Sequence, residues 1–504
     1  MRSSPPRVGL PWILGAALSG CGPDGAVDTG RDGDAPDEGE WSVSAPAVCE
    51  TPVAAHWTDH STDVVWDGSY YEGQGSGQML TDTACVSLER REDAWVLWST
   101  GMNADLHRYD LSRGDHDVYA TSPFSQSMVV SDFDADGIDD VSVFLVEHDI
   151  VWGDEGVVST LPTDFLLSFA AAAPDLDGDG LPDLVFAGGG DPQAAISPPQ
   201  VIRNLGNRNW APPTLARTGA VGFGFSMQVL DWDDDGDPDV YQCNDFGATS
   251  GGNVVLRNDD GALVAGDWRG ADVVTSCMSA AFGDVDRDGT LDTYLAVNGD
   301  SSLLLDLDGF VDVSAARLNA PPRVEGQMGW SGVITDGDND GLPDVFVSTG
   351  DFSRNTLRTW PVWWMRQQDD GTFVDEGAAA GLPQTASPRG LIARDLNEDG
   401  VVDFIVADVE RPPWVLESDG CTADNWVEVT APPGSKVTVE AGGHTWAALA
   451  SQQDGWCGWA PPTVHVGLGS ATTIDRITVR APWHAAATIV DVPVRTRLTW
   501  TPAP

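Results

Sequence analysis

Six short acidic segments of this 504-residue chain share one spacing of potential metal-binding side chains. Each reads Asp-x-Asp/Asn-x-Asp-Gly-x-x-Asp, and we call them the first to the sixth loop. Side-chain oxygens at positions 1, 3, 5 and 9 come from Asp132, Asp134, Asp136 and Asp140; Asp175, Asp177, Asp179 and Asp183; Asp231, Asp233, Asp235 and Asp239; Asp284, Asp286, Asp288 and Asp292; Asp336, Asp338, Asp340 and Asp344; and Asp395, Asn397, Asp399 and Asp403. Unneutralised, these like charges would repel one another and oppose compaction, so the pattern predicts a bound cation in each loop.

Calcium is the ion that best fits these loops. It takes about six to eight oxygen ligands at about 2.3–2.6 Å, whereas magnesium keeps several waters and zinc prefers the His and Cys that the loops lack. Position 6 is always glycine, which permits the sharp turn with φ > 0 that gathers the ligands. A backbone carbonyl at position 7 is predicted as a further ligand, from Ile138, Leu181, Asp237, Thr290, Leu342 and Val401. One copy could be an ordinary acidic turn, but six copies in register favour about six calcium ions.

The loops are not EF-hands, although the first half of their spacing is similar. An EF-hand needs a bidentate Glu at position 12 and a helix on each side. Position 12 is instead occupied by Val143, Phe186, Gln242, Leu295, Val347 and Val406. The residues that follow each loop are rich in β-branched and aromatic types, which predicts strands.

The loops recur every 43 to 59 residues, and this period predicts the blades of a β-propeller. A strand precedes each loop, another follows it, and segments such as NVVLRNDDGALV predict hairpins. Upstream, ACVSLERREDAWVLW aligns as a seventh blade that has lost its metal, with Cys85, Ser87 and Glu89 at ligand positions and Asp93 at position 9. We therefore expect an all-β fold with a seven-bladed β-propeller, six or eight blades remaining open, because ring closure removes exposed sheet edges.

These repeats resemble FG-GAP repeats, the kind that forms the integrin α-chain propeller. They also resemble the bacterial version of this repeat, which is seen in the cartilage acidic protein family as well. The resemblance extends over a propeller predicted for residues 49–418. It implies that the loop residues bind calcium at the propeller periphery and that the ions are mostly structural. Asn397 at position 3 is compatible with the family pattern, whereas the seventh blade departs from it and carries no implied metal.

The last segment, residues 421–504, has no acidic loop and predicts a separate β-sandwich-like domain. Alternation in VTVE and ITVR is typical of strands. The stretches KVTVEAGG, VHVGLGSA and ITVRAPW resemble the ASPIC/UnbV domain that follows FG-GAP repeats in relatives of cartilage acidic protein. That resemblance implies an architecture, but no well-established activity.

The N-terminus, residues 1–21, predicts an export signal. Arg2 and Arg7 precede an apolar run, and Leu-Ser-Gly-Cys then resembles the bacterial lipobox, in which the cysteine, here Cys21, is lipidated. Residues 22–48 are rich in Gly, Asp and Pro and predict a disordered tether. We therefore expect an exported lipoprotein of the outer membrane or cell surface, or an extracellular protein, anchored in the membrane by lipid.

The six remaining cysteines are an even number, as expected for disulfides in an exported protein. Six cysteines allow 15 pairings. Neighbours in sequence lie 36, 34 and 36 residues apart, which favours Cys49–Cys85, Cys243–Cys277 and Cys421–Cys457.

The composition narrows the class of function. A formal net charge of -52 argues against nucleic acid as a partner, since its phosphates would be repelled. Neither G-x-S-x-G nor H-E-x-x-H occurs, so we expect no enzyme but a recognition or adhesion scaffold for a protein or glycan at the cell surface. A propeller lectin or a polysaccharide-degrading enzyme is the alternative, and Trp360, Trp363 and Trp364 could stack on a sugar, although blade packing explains them better.

Overall fold

Antiparallel four-stranded sheets dominate the architecture. The computed structural model describes residues 39–61, 85–91, 94–100, 105–111, 116–121, 127–145, 147–153, 155–161, 168–191, 195–217, 222–321, 326–351, 360–386, 388–408 and 411–503. The predicted signal, the lipidation site Cys21 and the first part of the predicted tether lie outside these residues. Two single-turn helices are present in the described part, α1 (Gly247–Ser250) and α2 (Ser314–Arg317), and no helix there is long and apolar enough to cross a membrane.

Within the described residues, seven groups of four hydrogen-bonded strands occupy the region expected for the propeller, which is compatible with seven blades, and three of these groups pair with further strands. Strand β1 (Gly39–Val43) lies outside them, and β2 (Trp57–Asp59) belongs to the last sheet. The first three blades comprise β3 (Val86–Arg91), β4 (Ala94–Thr100), β5 (Asp105–Asp110) and β6 (His116–Ala120); β7 (Ser127–Ser131), β8 (Asp140–Phe144), β9 (His148–Val151) and β10 (Val158–Thr160); and β11 (Ala171–Ala172), β12 (Leu184–Phe186), β15 (Gln200–Ile202) and β16 (Thr214–Leu215), with a side hairpin of β13 (Gly190–Asp191) and β14 (Ala195–Ile196).

The remaining four blades follow the same antiparallel order. They comprise β17 (Phe223–Leu230), β18 (Asp239–Asp245), β19 (Val254–Asp259) and β20 (Ala262–Ala265); β21 (Cys277–Gly283), β22 (Asp292–Val297), β23 (Ser302–Asp306) and β24 (Phe310–Asp312); β26 (Met328–Thr335), β27 (Asp344–Gly350), β28 (Val362–Gln367) and β29 (Phe373–Asp375), with β25 (Leu318–Asn319) at the edge; and β30 (Pro388–Arg394), β31 (Asp403–Asp408), β32 (Trp414–Ser418) and β2. First strands of neighbouring blades contact one another, so they line the centre of the ring.

The last blade takes its outermost strand from the start of the chain. Strand β2 pairs antiparallel with β32, with Trp57 opposite Ser418. Trp57 is buried against Phe346, Trp364 and Phe404. The two ends of the propeller segment are thus joined in one sheet, which leaves no gap in that blade.

The C-terminal domain is a sandwich of two four-stranded layers. Its strands are β33 (Asn425–Thr430), β34 (Ser435–Ala441), β35 (His444–Ala450), β37 (Thr463–Gly469), β38 (Thr473–Arg480), β39 (Ala487–Pro493) and β40 (Thr496–Pro502), with β36 (Gly458–Trp459) in a connection. One layer has the order β1-β40-β33-β37 and the other β35-β34-β38-β39. Alternate residues such as Val437, Val439 and Ile477 are fully buried between the layers, as the sequence alternation predicts.

The predicted tether is wrong over its described end. Gly39–Val43 forms β1 and pairs with β40, so that Trp41 lies opposite Trp500. The strand was not predicted because Gly, Asp and Pro dominate the composition of residues 22–48 as a whole. The stretch GEWSV within this segment nevertheless alternates apolar and polar residues, as a strand does. The N-terminal segment therefore contributes to both the sandwich and the last blade.

The connection between β35 and β37, which we call the plug (residues 451–462), enters the centre of the propeller. Trp456 is 1% exposed, and its ring lies 4.8 Å from that of Trp330 and 6.0 Å from that of Phe225. The backbone of Trp456 is bound in both directions by Ser331, whose Oγ donates to the carbonyl at 2.7 Å and accepts from the amide at 3.0 Å. Strand β36, inside the plug, pairs parallel with β3 of the first blade. The C-terminal domain thus fills space between the innermost strands.

Polar groups fix the plug against two other innermost strands, β30 and β17. The Arg394 guanidinium lies 2.7 Å from the Asp454 carboxylate, and both side chains are less than 10% exposed. Asp454 also accepts from the backbone amide of Ala393 at 3.2 Å. Gln453 accepts from the amide of Met227 at 3.3 Å, and its carbonyl accepts from the side chain of Gln228 at 2.9 Å. These contacts satisfy groups that would otherwise be buried without partners.

Two of the three predicted disulfides are wrong. Cys243–Cys277 forms as expected, but Cys49 pairs with Cys421 and Cys85 with Cys457, each across 372 residues. Nearness in sequence misled the prediction because ring closure brings Cys49 to the chain leaving the last blade, and the plug brings Cys457 to the first innermost strand. Cys85, aligned with a metal ligand in the sequence, is therefore a disulfide residue.

Candidate metal centres

Each acidic loop connects the first and second strands of one blade, in blades 2 to 7. The position 6 glycines all have φ between 85° and 94°. Position 4 is also left-handed in every loop, with φ between 58° and 72°, for Ala135, Gly178, Asp234, Arg287, Asn339 and Glu398. The sequence predicted the glycine turn but not this second one, because position 4 has no common residue type. Two left-handed residues in three positions give the loop its tight curl.

The position 1 carboxylate binds the turn that follows it. In the first loop, Asp132 accepts from the amides of Asp136 at 3.0 Å and Gly137 at 2.8 Å. The bond to the glycine amide recurs in all six loops. In addition, the position 5 carboxylate accepts from the position 7 amide in all six. The loop backbone thus orients its own acidic side chains.

The position 9 aspartate has a second role that the spacing did not reveal. It is at most 1% exposed in every loop. One of its oxygens accepts from the position 2 amide, and the other from an amide in or just after the third strand. In the fourth loop these donors are Val285 and Asp306, both at 2.9 Å from Asp292. Position 9 therefore ties the loop to two strands of its blade.

In the first five loops, three carboxylates each place one oxygen within 4.8 Å of the others, close enough to share a metal ion. The sets are Asp132, Asp134 and Asp136; Asp175, Asp177 and Asp179; Asp231, Asp233 and Asp239; Asp284, Asp286 and Asp288; and Asp336, Asp338 and Asp344. All five sets include the position 3 aspartate, and position 3 of the fully described sixth loop is Asn397, so that loop has no such set of carboxylates. The structure therefore brings together predicted ligands in five of the six loops.

Buried oxygens without a protein partner mark several of these sets. Among the described residues, Oδ1 of Asp134, Asp286 and Asp338, all at position 3, is buried and has no hydrogen-bond donor. A carboxylate oxygen left in this state is costly unless a cation or water reaches it. A calcium ion bound by the alternating carboxylates would satisfy these atoms, so the donor set fits the ion predicted from the sequence.

Burial and mutual repulsion disfavour the charged forms of the loop carboxylates. Burial raises the pKa of Asp140 to about 7, and the neighbouring carboxylates of Asp134 and Asp132 raise it further against the lowering effect of two backbone amides. Burial likewise raises the pKa of Asp239 to about 7 and that of Asp292 to about 8. A divalent cation would reverse this effect, because it stabilises the ionised carboxylates.

The third loop contains an additional carboxylate in its site. Position 7 is Asp237, which the sequence analysis treated only as a carbonyl ligand. Its Oδ1 is buried without a partner, and burial together with Asp235 raises its pKa to about 7. The carbonyl role predicted for position 7 in all six loops stays a prediction. Asp237 shows that a side chain at this position also reaches the acidic cluster.

Arginines near the loops were missed by the sequence analysis. The Arg208 guanidinium lies 2.7 Å from Oδ2 of Asp134, and Arg366 lies 2.7 Å from Asp338 and 2.5 Å from Asp340. Arg203 similarly contacts Asp183. They come from, or just after, third strands, at distances in sequence that no local motif encodes. Each offsets part of the acidic charge without filling all the oxygen positions.

The C-terminal domain packs directly on the loops. The indole of Trp446 donates to the carbonyl of Gly341 at 3.0 Å, and that of Trp483 donates to the carbonyl of Asp175 at 2.8 Å. His465 bonds to the side chain of Asn339 at 2.7 Å. The face of the propeller that carries the loops is therefore also the face that holds the sandwich.

Two other sequence hypotheses concern residues away from the loops. In the first blade, Ser87 and Glu89 lie within β3, which pairs with β4, and Glu89 accepts from the indole of Trp98 at 3.0 Å, whereas Asp93 lies outside the described residues. Trp360, Trp363 and Trp364 are 3–4% exposed and pack in the blades. Trp363 also borders a cavity of about 600 Å³ between blades 5 and 6, with Tyr294 and Asp312.

Comparison with protein families finds two matches in this chain. A model described as FG-GAP-like repeat matches residues 175–241 and 336–406, and one described as ASPIC and UnbV matches residues 430–503. The matched repeats include the second, third, fifth and sixth loops, and the ASPIC and UnbV match covers most of the sandwich. The chain therefore carries FG-GAP-like repeats in a β-propeller, followed by an ASPIC/UnbV domain.

Known proteins give the same picture at low identity. Cartilage acidic protein 1 of Homo sapiens is 24% identical over 280 residues, covering 50% of this chain and 42% of that protein. The Mus musculus protein of the same name is 25% identical over 280 residues, covering 50% and 43%. The chain therefore spans less than half the length of these relatives. Among solved structures, BBS1N in complex with ARL6DN has a TM-score of 0.44 at 9% identity, covering 73% of this chain and 98% of that one.

Proposed function

We propose that this propeller of FG-GAP-like repeats, with its ASPIC/UnbV domain, is a calcium-stabilised, non-catalytic scaffold for recognition or adhesion. The observation that carries the proposal is the convergence of three carboxylates in each of five loops, in three of which a buried position 3 oxygen lacks a protein partner. These are the oxygens that a hard cation requires. Calcium would be held by positions 1, 3, 5 and 9 and by the position 7 carbonyl.

Bound calcium would act on the stability of the blades. Each loop joins two strands, and its position 9 carboxylate ties the third strand to them. An ion that binds only the folded loop stabilises the fold by mass action, by about 2.7 kcal/mol per site at a free concentration of 100 Kd. The ions would thus keep the loop-bearing face rigid, including its contacts with the C-terminal domain.

We place the protein outside the cytoplasm, as an exported lipoprotein of the outer membrane or cell surface. The N-terminal charged and apolar segments, followed by Cys21 in a lipobox-like pattern, support export and lipid anchoring. Three disulfides in the described residues independently support an oxidising compartment. Radiolabelled palmitate incorporation by the wild type, and its loss in Cys21→Ser, would test the anchor.

The proposed ligand is a protein or glycan at the cell surface. Nucleic acid is disfavoured by the charge of -52. The test is affinity capture with the calcium-loaded chain from culture medium and cell-surface extracts, compared with the same chain in EGTA. Specific, calcium-dependent enrichment of one partner supports the scaffold role. Turnover of a polysaccharide in the absence of any captured partner would contradict it and favour an enzyme.

Glycan recognition is the second candidate, because of the cavity between blades 5 and 6. Tyr294, Trp363 and Met365 supply apolar walls, and Asp312 and Ser314 supply polar groups, a combination suited to a sugar ring. A glycan array probed with the calcium-loaded protein would test this role. Binding that is lost in Asp312→Ala, while the melting temperature is unchanged, would support it.

A further inference from the structure

The sixth loop, Asp395–Asp403, differs from the other five at position 3, which is Asn397 instead of aspartate. Each converging set of three carboxylates in the other loops includes position 3, so the sixth loop has no such set. Asp399 accepts from the hydroxyl of Ser418. Asp403 accepts backbone amides from Leu396 at 2.7 Å and Ser418 at 2.6 Å. The oxygens of this loop are therefore committed to protein donors.

A cation from the C-terminal domain contacts the first carboxylate of this loop. Arg497, on β40, places its guanidinium on Oδ2 of Asp395, whose side chain is fully buried. The same guanidinium lies 2.7 Å from the buried carboxylate of Glu428 and 4.8 Å from the ring of Trp426. Trp426 also covers Gly400, where no Cβ would fit. The loop is thus closed by three side chains of the sandwich.

Arginines at other loops make a different contact. Arg208, Arg257 and Arg366 approach position 3 or 5 carboxylates, and Arg203 approaches positions 3 and 9. In these loops three carboxylates still converge, and Asp134 and Asp338 keep a buried oxygen without a partner. Among the described ion pairs, position 1 carries an arginine only in the sixth loop.

The charge of the sixth loop is consistent with this difference. Position 3 is Asn397, so positions 1, 3, 5 and 9 of this loop carry three carboxylates, where those positions carry four in each of the other loops. A guanidinium fixed by two buried carboxylates and stacked on an indole offsets that smaller charge. Bringing a divalent ion to Asp395 would place it beside Arg497, and the like charges would repel.

We propose that Arg497 takes the place of a calcium ion in the sixth loop, so that the chain binds five calcium ions and not six. The loop then joins the last blade, which closes the ring, to the C-terminal domain through an ion pair. This inference rests on the proposed calcium binding and concerns which of the loops take part in it.

The test is a count of bound calcium per full chain by equilibrium dialysis, with about 0.1 M potassium chloride and excess magnesium to screen the acidic surface. We expect five ions in the wild type. The matched variants at position 3 are Asn397→Ala, which should keep five, and Asp286→Ala, which should lose one. Arg497→Gln should gain one, because it removes the competing charge and leaves a polar group of similar reach.

Each outcome decides the inference. Six ions in the wild type, a lost ion in Asn397→Ala, or an unchanged five in Arg497→Gln would overturn it, whereas the proposed calcium binding would stand. No bound calcium in the wild type would overturn both. Circular dichroism of each dialysed sample restricts the comparison to folded protein, and Arg497→Lys, which keeps the charge, should remain at five.

Discussion

At the scale of single residues, aspartates of one motif divide into two kinds. Position 9 is buried and bound by two backbone amides, as Asp292 is by Val285 and Asp306. Position 3 instead presents an oxygen with no protein partner, as Asp286 does. The position 9 aspartate stabilises the blade even without metal, whereas the charge of the position 3 aspartate is unfavourable unless a cation is bound.

Substitution by asparagine should separate these roles in the fourth loop. Asp292→Asn places an amide NH₂ against a backbone N–H, which leaves a buried donor unsatisfied and should cost about 1–3 kcal/mol with or without calcium. Asp286→Asn should leave the calcium-free protein as stable as the wild type or more so, since burial and Asp288 raise the pKa of Asp286. Urea unfolding in calcium and in EGTA measures both effects.

The two variants, Asp292→Asn and Asp286→Asn, also test whether positions 9 and 3 have different roles. With calcium present, Asp286→Asn should lose stability relative to the wild type, because its site binds the ion less tightly. Equal losses for the two variants in EGTA would mean that position 3 is also structural. Equal behaviour of Asp286→Asn and wild type in calcium would mean that this loop binds no ion.

His148 predicts a pH dependence unrelated to the loops. It is fully buried in β9, with its ring centroid 4.2 Å from that of Phe186, and burial lowers its pKa to about 3. The folded state thus binds fewer protons than the unfolded state, whose histidine has its ordinary pKa near 6.5. Stability from the neutral ring is complete above pH 6.5 and is lost as pH falls toward 3.

His148→Phe should remove this contribution. Between pH 7 and pH 5 the wild type should lose about 2 kcal/mol more than the variant, at about 1.4 kcal/mol per pH unit below 6.5. Urea unfolding of both proteins at the two pH values in saturating calcium measures the change in the free energy of unfolding with pH. Because both proteins contain the same carboxylates, the contribution of those groups cancels when the two changes are subtracted. An identical loss in both would show that His148 does not titrate in this range.

At the scale of elements, the plug links the two domains more closely than their sequence boundary suggests. Residues 451–462 belong to the sandwich in sequence, but they pack on the innermost strands of the propeller. Trp456 lies among Trp330 and Phe225, whereas Trp483, also from the sandwich, lies over a loop and is 41% exposed. Burial of an indole at the centre should therefore contribute far more than one at the rim.

Trp456→Ala should destabilise the protein by about 3–5 kcal/mol, the usual cost of a large buried aromatic. Trp483→Ala, the control in the same domain, should cost about 1 kcal/mol, since it loses one indole hydrogen bond and a partly exposed contact. Guanidinium unfolding in calcium checks both values. If both variants lost equal stability, the plug would not be the main contact between the domains.

The elements also show which features the sequence could predict. The six repeats of a strand, an acidic loop and a second strand could be predicted because local residue spacing determines them. The sandwich strands could be predicted from their alternation of apolar and polar residues. The plug could not be predicted, because SQQDGWCGWA has neither alternation nor a motif, and its partners lie up to 372 residues away. Non-local pairing likewise decided the two disulfides and β1.

At the scale of the whole molecule, the propeller and the sandwich share strands and covalent links. Strand β1 precedes the propeller but pairs with β40, and β35 of the sandwich pairs with β21 of blade 5. Cys49–Cys421 and Cys85–Cys457 add two bonds between early and late segments. Neither part can unfold without breaking contacts in the other.

Calorimetry of the calcium-loaded protein should therefore show one cooperative transition. Two domains joined only by a linker would instead melt separately. The double variant Cys85→Ser with Cys457→Ser should lower the transition temperature more than Cys243→Ser with Cys277→Ser, which removes a bridge inside the propeller. Two resolved transitions in the wild type would contradict a single unit.

The central claim is that calcium in the acidic loops stabilises the folded propeller. The most direct measurement is thermal unfolding of the purified chain at one pH, first with calcium and then after exhaustive EGTA dialysis, with the calcium content determined by elemental analysis. We expect several bound ions per chain, a lower melting temperature after their removal, and recovery on adding calcium back. A chain that carries no bound calcium and melts at the same temperature in EGTA would contradict it.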